Sequence, residues 1–219
     1  MFINHKHKFI FIHIPKNAGT SIRNSFNING YDKKVVSKRY PHSTCSEIKK
    51  YIGDNIWNEY YKFSFVRNPF DRLVSFYHFH KSDQYKHKVG RERAYTQSFK
   101  DWVIDTKDKN VIQTQSDYLD EQINFIGSFE NLQEDFNLVC NQMDILPYKL
   151  PHYNQSQHDS WDTYYDDELT DFVLNRYQKD FINFYEKKAW LVLQFFCIFR
   201  YDRNDTYDDF GFSNSFKNN

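Results

Sequence analysis

The tightest constraint on the fold lies close to the N-terminus. Phe9-Ile10-Phe11-Ile12-His13-Ile14 is a short run of β-branched and aromatic residues, cut off by Pro15 and followed at once by Lys16-Asn17-Ala18-Gly19-Thr20-Ser21. A short run rich in β-branched and aromatic residues and broken at once by proline predicts a strand followed by a loop. Beyond Ser21, Ile22 and Phe26 stand four apart and begin a helix at the end of the loop. A strand, a short loop and a helix N-terminus aim backbone N–H groups at one point, where a phosphate or sulfate can be held. Gly19 lets the backbone approach such an anion, Lys16 supplies a point charge, and Thr20 and Ser21 add hydroxyl donors. Taken alone, the loop reads as an ordinary strand-to-helix connection with a solvated lysine. The lysine precedes the glycine rather than following it, so the order is not that of an ATP- or GTP-hydrolysing loop.

A second segment repeats the arrangement. Lys62-Phe63-Ser64-Phe65-Val66-Arg67 alternates as a strand does, and Asn68-Pro69 then opens a helix with Pro at its first position, running from Phe70 to about His80. Arg67 at the strand end and Ser75 on the helix can converge on one phosphate, the first through its forked guanidinium and the second through its hydroxyl. Arg72 is expected at the surface or paired with its neighbour Asp71. Between the two segments, Thr44-Cys45-Ser46-Glu47 fits a capping box for a helix that ends near Ile52 at Gly53, and His42 stands just before that cap. Further helices are predicted at Ser98 to Ile104, Glu130 to Met143 and Asp166 to about Tyr185, with a short strand around Phe125-Ile126. Strands alternating with helices predict an α/β fold with a mostly parallel sheet.

Charge and composition restrict the partners. Lys plus Arg and Asp plus Glu both number 29, so there is no overall field to gather nucleic acid or an anionic membrane, and any anion site is local. The 22 Phe, 17 Tyr and 4 Trp supply ample apolar surface for a core in a chain of 219 residues. Cys45, Cys140 and Cys197 are widely spaced and indicate neither a disulfide framework nor a zinc site. Ala189 to Phe199 is the longest apolar run and is too short to span a bilayer, so it is read as a buried terminal element. With neither a signal peptide nor a membrane span in the sequence, a cytoplasmic protein is expected. One α/β domain is expected over residues 1–201, with a polar tail over 202–219.

The segments Ile14 to Ser21 and Phe65 to Ser75 together resemble the sulfotransferase family, in particular its carbohydrate branch of heparan sulfate 2-O and chondroitin type. Two further stretches are similar to the same family: Phe125-Ile126-Gly127-Ser128-Phe129-Glu130-Asn131-Leu132 with Asp135-Phe136, and Leu150-Pro151-His152-Tyr153-Asn154-Gln155-Ser156. The likeness covers roughly residues 8 to 185. It implies a P-loop-like three-layer fold, a central mostly parallel sheet flanked by helices. It also implies 3′-phosphoadenosine 5′-phosphosulfate (PAPS) as co-substrate, with no metal. Lys16, Asn17, Ala18, Gly19, Thr20 and Ser21 would then bind the 5′-phosphosulfate, and Arg67 and Ser75 the 3′-phosphate. Ser128 departs from the pattern, standing where relatives often carry a basic residue.

On that resemblance the expected function is transfer of a sulfuryl group to a carbohydrate hydroxyl. His42, between the two cofactor segments, is the expected general base, because an imidazole accepts a proton near neutral pH; Lys16 would stabilise the leaving phosphate, and His152 is the reserve candidate. Phe76, Tyr77 and Phe79 are assigned to packing. The run Lys81, Lys86, Lys88, Arg91 and Arg93, with His80 and His87, reads as a solvated face, with an anionic glycan as the minority reading. Two alternatives stay open: a P-loop-like nucleotide kinase, and a glycan- or nucleotide-binding module without turnover.

Overall fold

The computed structural model describes residues 1–28, 42–151 and 158–185. One compact unit runs from Met1 to Phe184. The expected domain boundary at 201/202, the apolar run 189–199 and His152 lie outside the described residues.

In chain order the elements are β1 (Phe2–Asn4), β2 (Phe9–Ile12), α1 (Gly19–Ile28), α2 (Cys45–Ile52), α3 (Asp54–Glu59), β3 (Tyr61–Val66) and α4 (Pro69–Lys81). There follow α5 (Lys88–Thr96), α6 (Phe99–Asp105), α7 (Lys109–Ile112), α8 (Gln115–Tyr118), β4 (Phe125–Ser128), α9 (Leu132–Gln142) and α10 (Asp167–Arg176). The sheet has the order β1-β2-β3-β4. β1 folds back antiparallel on β2, with Ile3 opposite Ile10, whereas β2, β3 and β4 run parallel, with Phe11 opposite Phe63 and Phe65 opposite Gly127. The fold is therefore α/β, with a mixed, mostly parallel sheet flanked by helices.

Period-two alternation sends the strand residues to two separate cores. Phe9 and Phe11 of β2 and Phe63 and Phe65 of β3 pack with Ile22 and Phe26 of α1 and Phe136 and Val139 of α9. Ile10 and Ile12 face the other way, into Cys45 and Ile48 of α2 and Trp57 of α3. A third cluster joins Phe70, Leu73 and Val74 of α4 to Trp102 of α6 and Leu169 and Val173 of α10. The parallel strands all end on one edge, at Ile12, Val66 and Ser128, and in open α/β sheets ligands bind beyond the carboxyl ends of the strands.

Local signals read from the sequence account for several helix starts. Thr44 accepts from the Glu47 amide while the Glu47 carboxylate accepts from the Thr44 amide, the reciprocal capping box expected for α2, and Gly53 closes that helix. Asn68 caps α4, accepting from the Phe70 amide at 3.0 Å, with Pro69 in the first turn. The expected single helix over 166–185 is instead broken. α10 ends at Arg176, and Gln178–Asp180 and a π turn at Phe181–Tyr185 follow. The break serves long-range bonds: Tyr177 donates its hydroxyl to the Val111 carbonyl at 2.6 Å, and Asp180 turns inward to accept from the amides of Gln115 and Ser116, both at 2.8 Å. The helix expected from Glu130 begins with a 3₁₀ turn over Phe129–Asn131 before α9.

Candidate active site

The loop after β2 is built from backbone conformations that side-chain contacts hold in place. Lys16 (φ 70°) and Ala18 (φ 58°) are both left-handed, which costs ~1–2 kcal/mol per non-glycine residue. Asn17 between them has negative φ, and such alternation turns consecutive N–H groups toward a common anion-binding concavity. The anchor is the Asn17 side chain itself. It is buried, and its Nδ2 donates to the Phe65 carbonyl at 2.8 Å and to Gln115 Oε1 at 2.6 Å. Expected to bind the cofactor, Asn17 thus uses its side chain to tie the loop to β3, leaving only its backbone facing a ligand. The first helical bond of α1, Ile22 N–H to the Ala18 carbonyl at 3.1 Å, follows immediately. Gly19 is required by a neighbour as much as by any ligand: a Cβ there would stand 1.8 Å from His13 Cδ2 and 1.9 Å from its Nε2.

Arg67 continues from β3 into the same region. Its amide donates to Gln115 Oε1 at 2.9 Å, its Nε to Asp71 Oδ2 at 2.7 Å and its Nη1 to the Lys16 carbonyl at 3.0 Å, while the guanidinium lies 4.0 Å from the Phe129 ring centre. Of five guanidinium N–H donors, two are used in these bonds and three remain for a ligand. Asp71 is therefore the partner of Arg67, not of Arg72. The expectation of a surface Arg72 is overturned: it is 1% exposed, and its guanidinium donates to the carbonyls of Pro15, Gln113 and Asn110 at 3.2, 3.2 and 3.1 Å. A buried cation needs its donors satisfied, and here carbonyls from the loop after β2, from α7 and from the residue that ends α7 do so, pinning Pro15 to α4.

Gln115 was not singled out by sequence reasoning. Fully buried, it accepts from Asn17 Nδ2 and the Arg67 amide through Oε1 and donates Nε2 to the Arg67 carbonyl at 2.8 Å. Asp180 fixes it from behind. One amide side chain thus joins the loop after β2 to the turn after β3. Its only local signal was the Thr114 capping box for α8, satisfied with Asp117. Glu130 was also missed; it accepts from the Asn68 amide at 2.7 Å and fastens the start of α4 to the segment after β4.

These elements enclose a cleft of about 630 Å³, within the usual size of a cofactor site. Lys16, Ala18, Gly19, Thr20, Ser21, Arg67, Ser75 and His42 all line it. Of the expected site residues, only the Asn17 side chain does not. Phe79, assigned to packing, also lines the cleft, with Lys16 Nζ 4.1 Å from its ring centre. Phe76 also lines it, though 3% exposed, whereas Tyr77 is buried away from it, as expected.

His42 is oriented by the backbone. Its Nδ1 lies 3.1 Å from the His13 carbonyl, which only accepts, so Nδ1 carries the hydrogen and Nε2 the lone pair. The two imidazoles meet edge to face at 4.5 Å between centres. Burial pulls His42 down to about 4, against the opposing effect of its bond to the His13 carbonyl. His13 is held well below the usual histidine value, first by burial and then by His42. Both rings are neutral at pH 7. Burial and the neighbouring Arg67 charge lower Lys16 to about 8; an anion between the two cations would oppose both effects.

The chain belongs to the sulfotransferase family: the family model described as "Sulfotransferase family" matches residues 1–186. It is accordingly a transferase of sulfuryl groups, and the carbohydrate-type resemblance of its motifs is consistent with this family. No curated protein and no solved structure matches the chain. No helix among the described residues is long and apolar enough to cross a membrane.

Proposed function

We propose that this protein transfers the sulfuryl group of PAPS to a hydroxyl of a carbohydrate acceptor. What supports the reading is the convergence, in one cleft, of the Lys16–Ser21 loop, Arg67, Ser75 and a histidine with its Nε2 lone pair free. The cleft's residues suit the co-substrate. Backbone amides of the left-handed loop and the hydroxyls of Thr20 and Ser21 hold the 5′ end, and three unused Arg67 donors with the Ser75 hydroxyl hold the 3′-phosphate. PAPS supplies the activated sulfuryl group.

His42 Nε2 takes the proton of the acceptor hydroxyl as that oxygen forms its bond to sulfur. Lys16 Nζ and the loop amides receive the charge that grows on the 5′-phosphate oxygen as its bond to sulfur breaks. The loop and Arg67 fix the line between attacking and leaving oxygens, on which such displacements depend. The reading assigns residues 1–201 to one catalytic domain.

The test is incubation with radiolabelled PAPS and a panel of mono- and oligosaccharides, followed by mapping of the modified hydroxyl. Label transferred to a sugar oxygen is expected. Intact binding of adenosine 3′,5′-bisphosphate with no transfer to any acceptor would favour the binding-module reading, and preferential binding of ATP would favour the kinase.

A further inference from the structure

Lys16 is a long, flexible cation in a cleft, and its partner there is aromatic. Its Nζ stands 4.1 Å from the centre of the Phe79 ring, and both residues line the cleft. Lys62 and Lys81 lie farther from their rings, at 5.5 Å and at 4.7 and 5.8 Å, and use hydrogen bonds as well. Lys62 Nζ donates to the Trp57 and Tyr60 carbonyls, and Lys81 Nζ to the Tyr77 hydroxyl. Lys16 Nζ has no hydrogen-bond or carboxylate partner among the described residues, so the ring is what holds it.

That ring is fixed by its helix and by a neighbour. α4 turns Ser75 and Phe79, four residues apart, to one face, and Arg72 of the same helix donates to the Pro15 carbonyl at 3.2 Å. Two successive residues of the loop are thus held by α4, Pro15 at its carbonyl and Lys16 at its ammonium. The Phe79 carbonyl accepts from the Ser82 amide at 3.0 Å and the Ser82 hydroxyl at 2.7 Å, and the Tyr85 ring meets the Phe79 ring edge to face at 5.6 Å. No charged group of the cleft does this holding. Arg67, from the turn after β3, repels the ammonium, and the imidazoles of His13 and His42 are neutral at pH 7. The Asp108 carboxylate is engaged by His80 and Tyr85, and His158 completes the titratable lining. Burial and Arg67 both favour loss of the proton and bring Lys16 to about 8, whereas the negative face of a ring favours keeping it. A carboxylate in place of the ring would hold the ammonium too, but would cancel the charge that an incoming phosphate requires.

We infer that Phe79 is a positioning residue for Lys16: its ring keeps the ammonium charged and seated in the cleft, ready for the phosphate oxygen that leaves sulfur. The inference rests on the donor-site reading proposed above. A lysine held in one place loses side-chain freedom, and a contact made before the nucleotide arrives removes that cost from binding. A group already in place also needs no reorganisation as charge develops on the leaving oxygen. N–H groups turned away from the ring stay free to donate to the phosphate. Phe79, assigned to packing from the sequence, thus acts on the reaction through Lys16 without touching the reacting atoms.

The test follows the Lys16 titration in the full chain by competitive acetylation across pH, read by mass spectrometry. It compares the wild type, Phe79→Leu, Phe79→Trp and a chain carrying a fluorinated phenylalanine at position 79. Fluorine keeps the ring's shape while withdrawing the electrons that face the cation, a change that packing alone would not register. The Lys16 midpoint is expected ~0.5–1 pH unit lower in the Leu and fluorinated forms, and unchanged or higher with Trp, the strongest cation–π partner. Adenosine 3′,5′-bisphosphate is titrated in parallel at several pH values. Its affinity should begin to fall at lower pH in the Leu and fluorinated forms, and approach that of the wild type well below the Lys16 midpoint. An unmoved or raised midpoint in the fluorinated form overturns the inference. Bisphosphate affinity that falls equally at every pH overturns it too, since the ring would then be a base-stacking surface. A wild type that fails to bind the bisphosphate while the midpoints shift as expected would instead strike the donor-site reading, so the two failures are separable.

Discussion

The Nδ1–H of His42 is spent on the backbone carbonyl of His13, 3.1 Å away. The residue that opens the anion-binding loop therefore also fixes the tautomer of the proposed base. Replacing His42 by Ala should lower kcat by ~10²–10⁴, the usual contribution of a general base, and leave the affinity for adenosine 3′,5′-bisphosphate unchanged. Parallel steady-state kinetics and nucleotide titration check this; an unchanged kcat would remove His42 from the mechanism.

The pH profile follows from two displaced groups. His42 must be neutral to accept a proton and, at about 4, stays so throughout the neutral range. Lys16 must be protonated to hold the phosphate and, at about 8, loses its charge above that pH. A plot of kcat/KM, which reports the free enzyme, should be level between those values and fall on either side. The alkaline limb of kcat should lie higher, because bound phosphate raises the Lys16 value. An acid limb near 6.5 would mean that the burial assigned to His42 is wrong.

Stability should follow the histidines as well. Both His13 and His42 have folded values below the unfolded 6.5. The unfolded chain therefore takes up protons first as the pH drops, and stability present above 6.5 is lost as the pH falls toward 4. Denaturant unfolding at several pH values should show that decline, and His42→Gln should make it shallower. An identical slope in the variant would contradict the assignment.

Gly19→Ala sets two effects against each other. Alanine gains up to ~1 kcal/mol in helix propensity, whereas its Cβ would lie 1.8 Å from the His13 ring. The clash wins: overpacking typically costs ~1–3 kcal/mol, and displacing His13 also moves the carbonyl that orients His42. A lower unfolding midpoint together with a lower kcat is expected; a higher midpoint would show that His13 moves freely.

Gln115→Ala removes the acceptor of two buried N–H groups, each costing ~1–3 kcal/mol when left unpaired. Nucleotide affinity should fall even though Gln115 does not line the cleft, because the Lys16 loop and Arg67 lose their common tie. Gln115→Glu should not rescue it: the acceptor returns, but the donor to the Arg67 carbonyl is gone and a second carboxylate faces Asp180. Wild-type nucleotide affinity in the Ala variant would contradict this role.

Much of the scaffold was legible in local sequence signals. The run Phe9–Ile12, the Thr44 box and the Asn68-Pro69 start each depend on residues within a few positions of one another, and each formed. What escaped depends on distance. Asp180 meets Gln115 across 65 positions and Gln115 meets Arg67 across 48, so neither the break after α10 nor the hub was visible locally. Arg72 misled for the same reason: an arginine reads as a surface residue until three carbonyls remote in sequence close around it. The candidate site was legible through motif resemblance, while its orienting contacts, His42 to His13 and Asn17 to Gln115, were not.

The central claim is that the Lys16–Ser21 loop and Arg67 grip opposite phosphates of one nucleotide. The most direct measurement compares the affinities of adenosine 3′,5′-bisphosphate and 5′-AMP in the wild type and in Arg67→Ala. Charge-assisted bonds of ~1.5–3 kcal/mol to the 3′-phosphate predict a wild-type preference for the bisphosphate of ~10-fold or more, lost in the variant while 5′-AMP binding changes far less. Equal loss for both nucleotides, or no preference in the wild type, would contradict it.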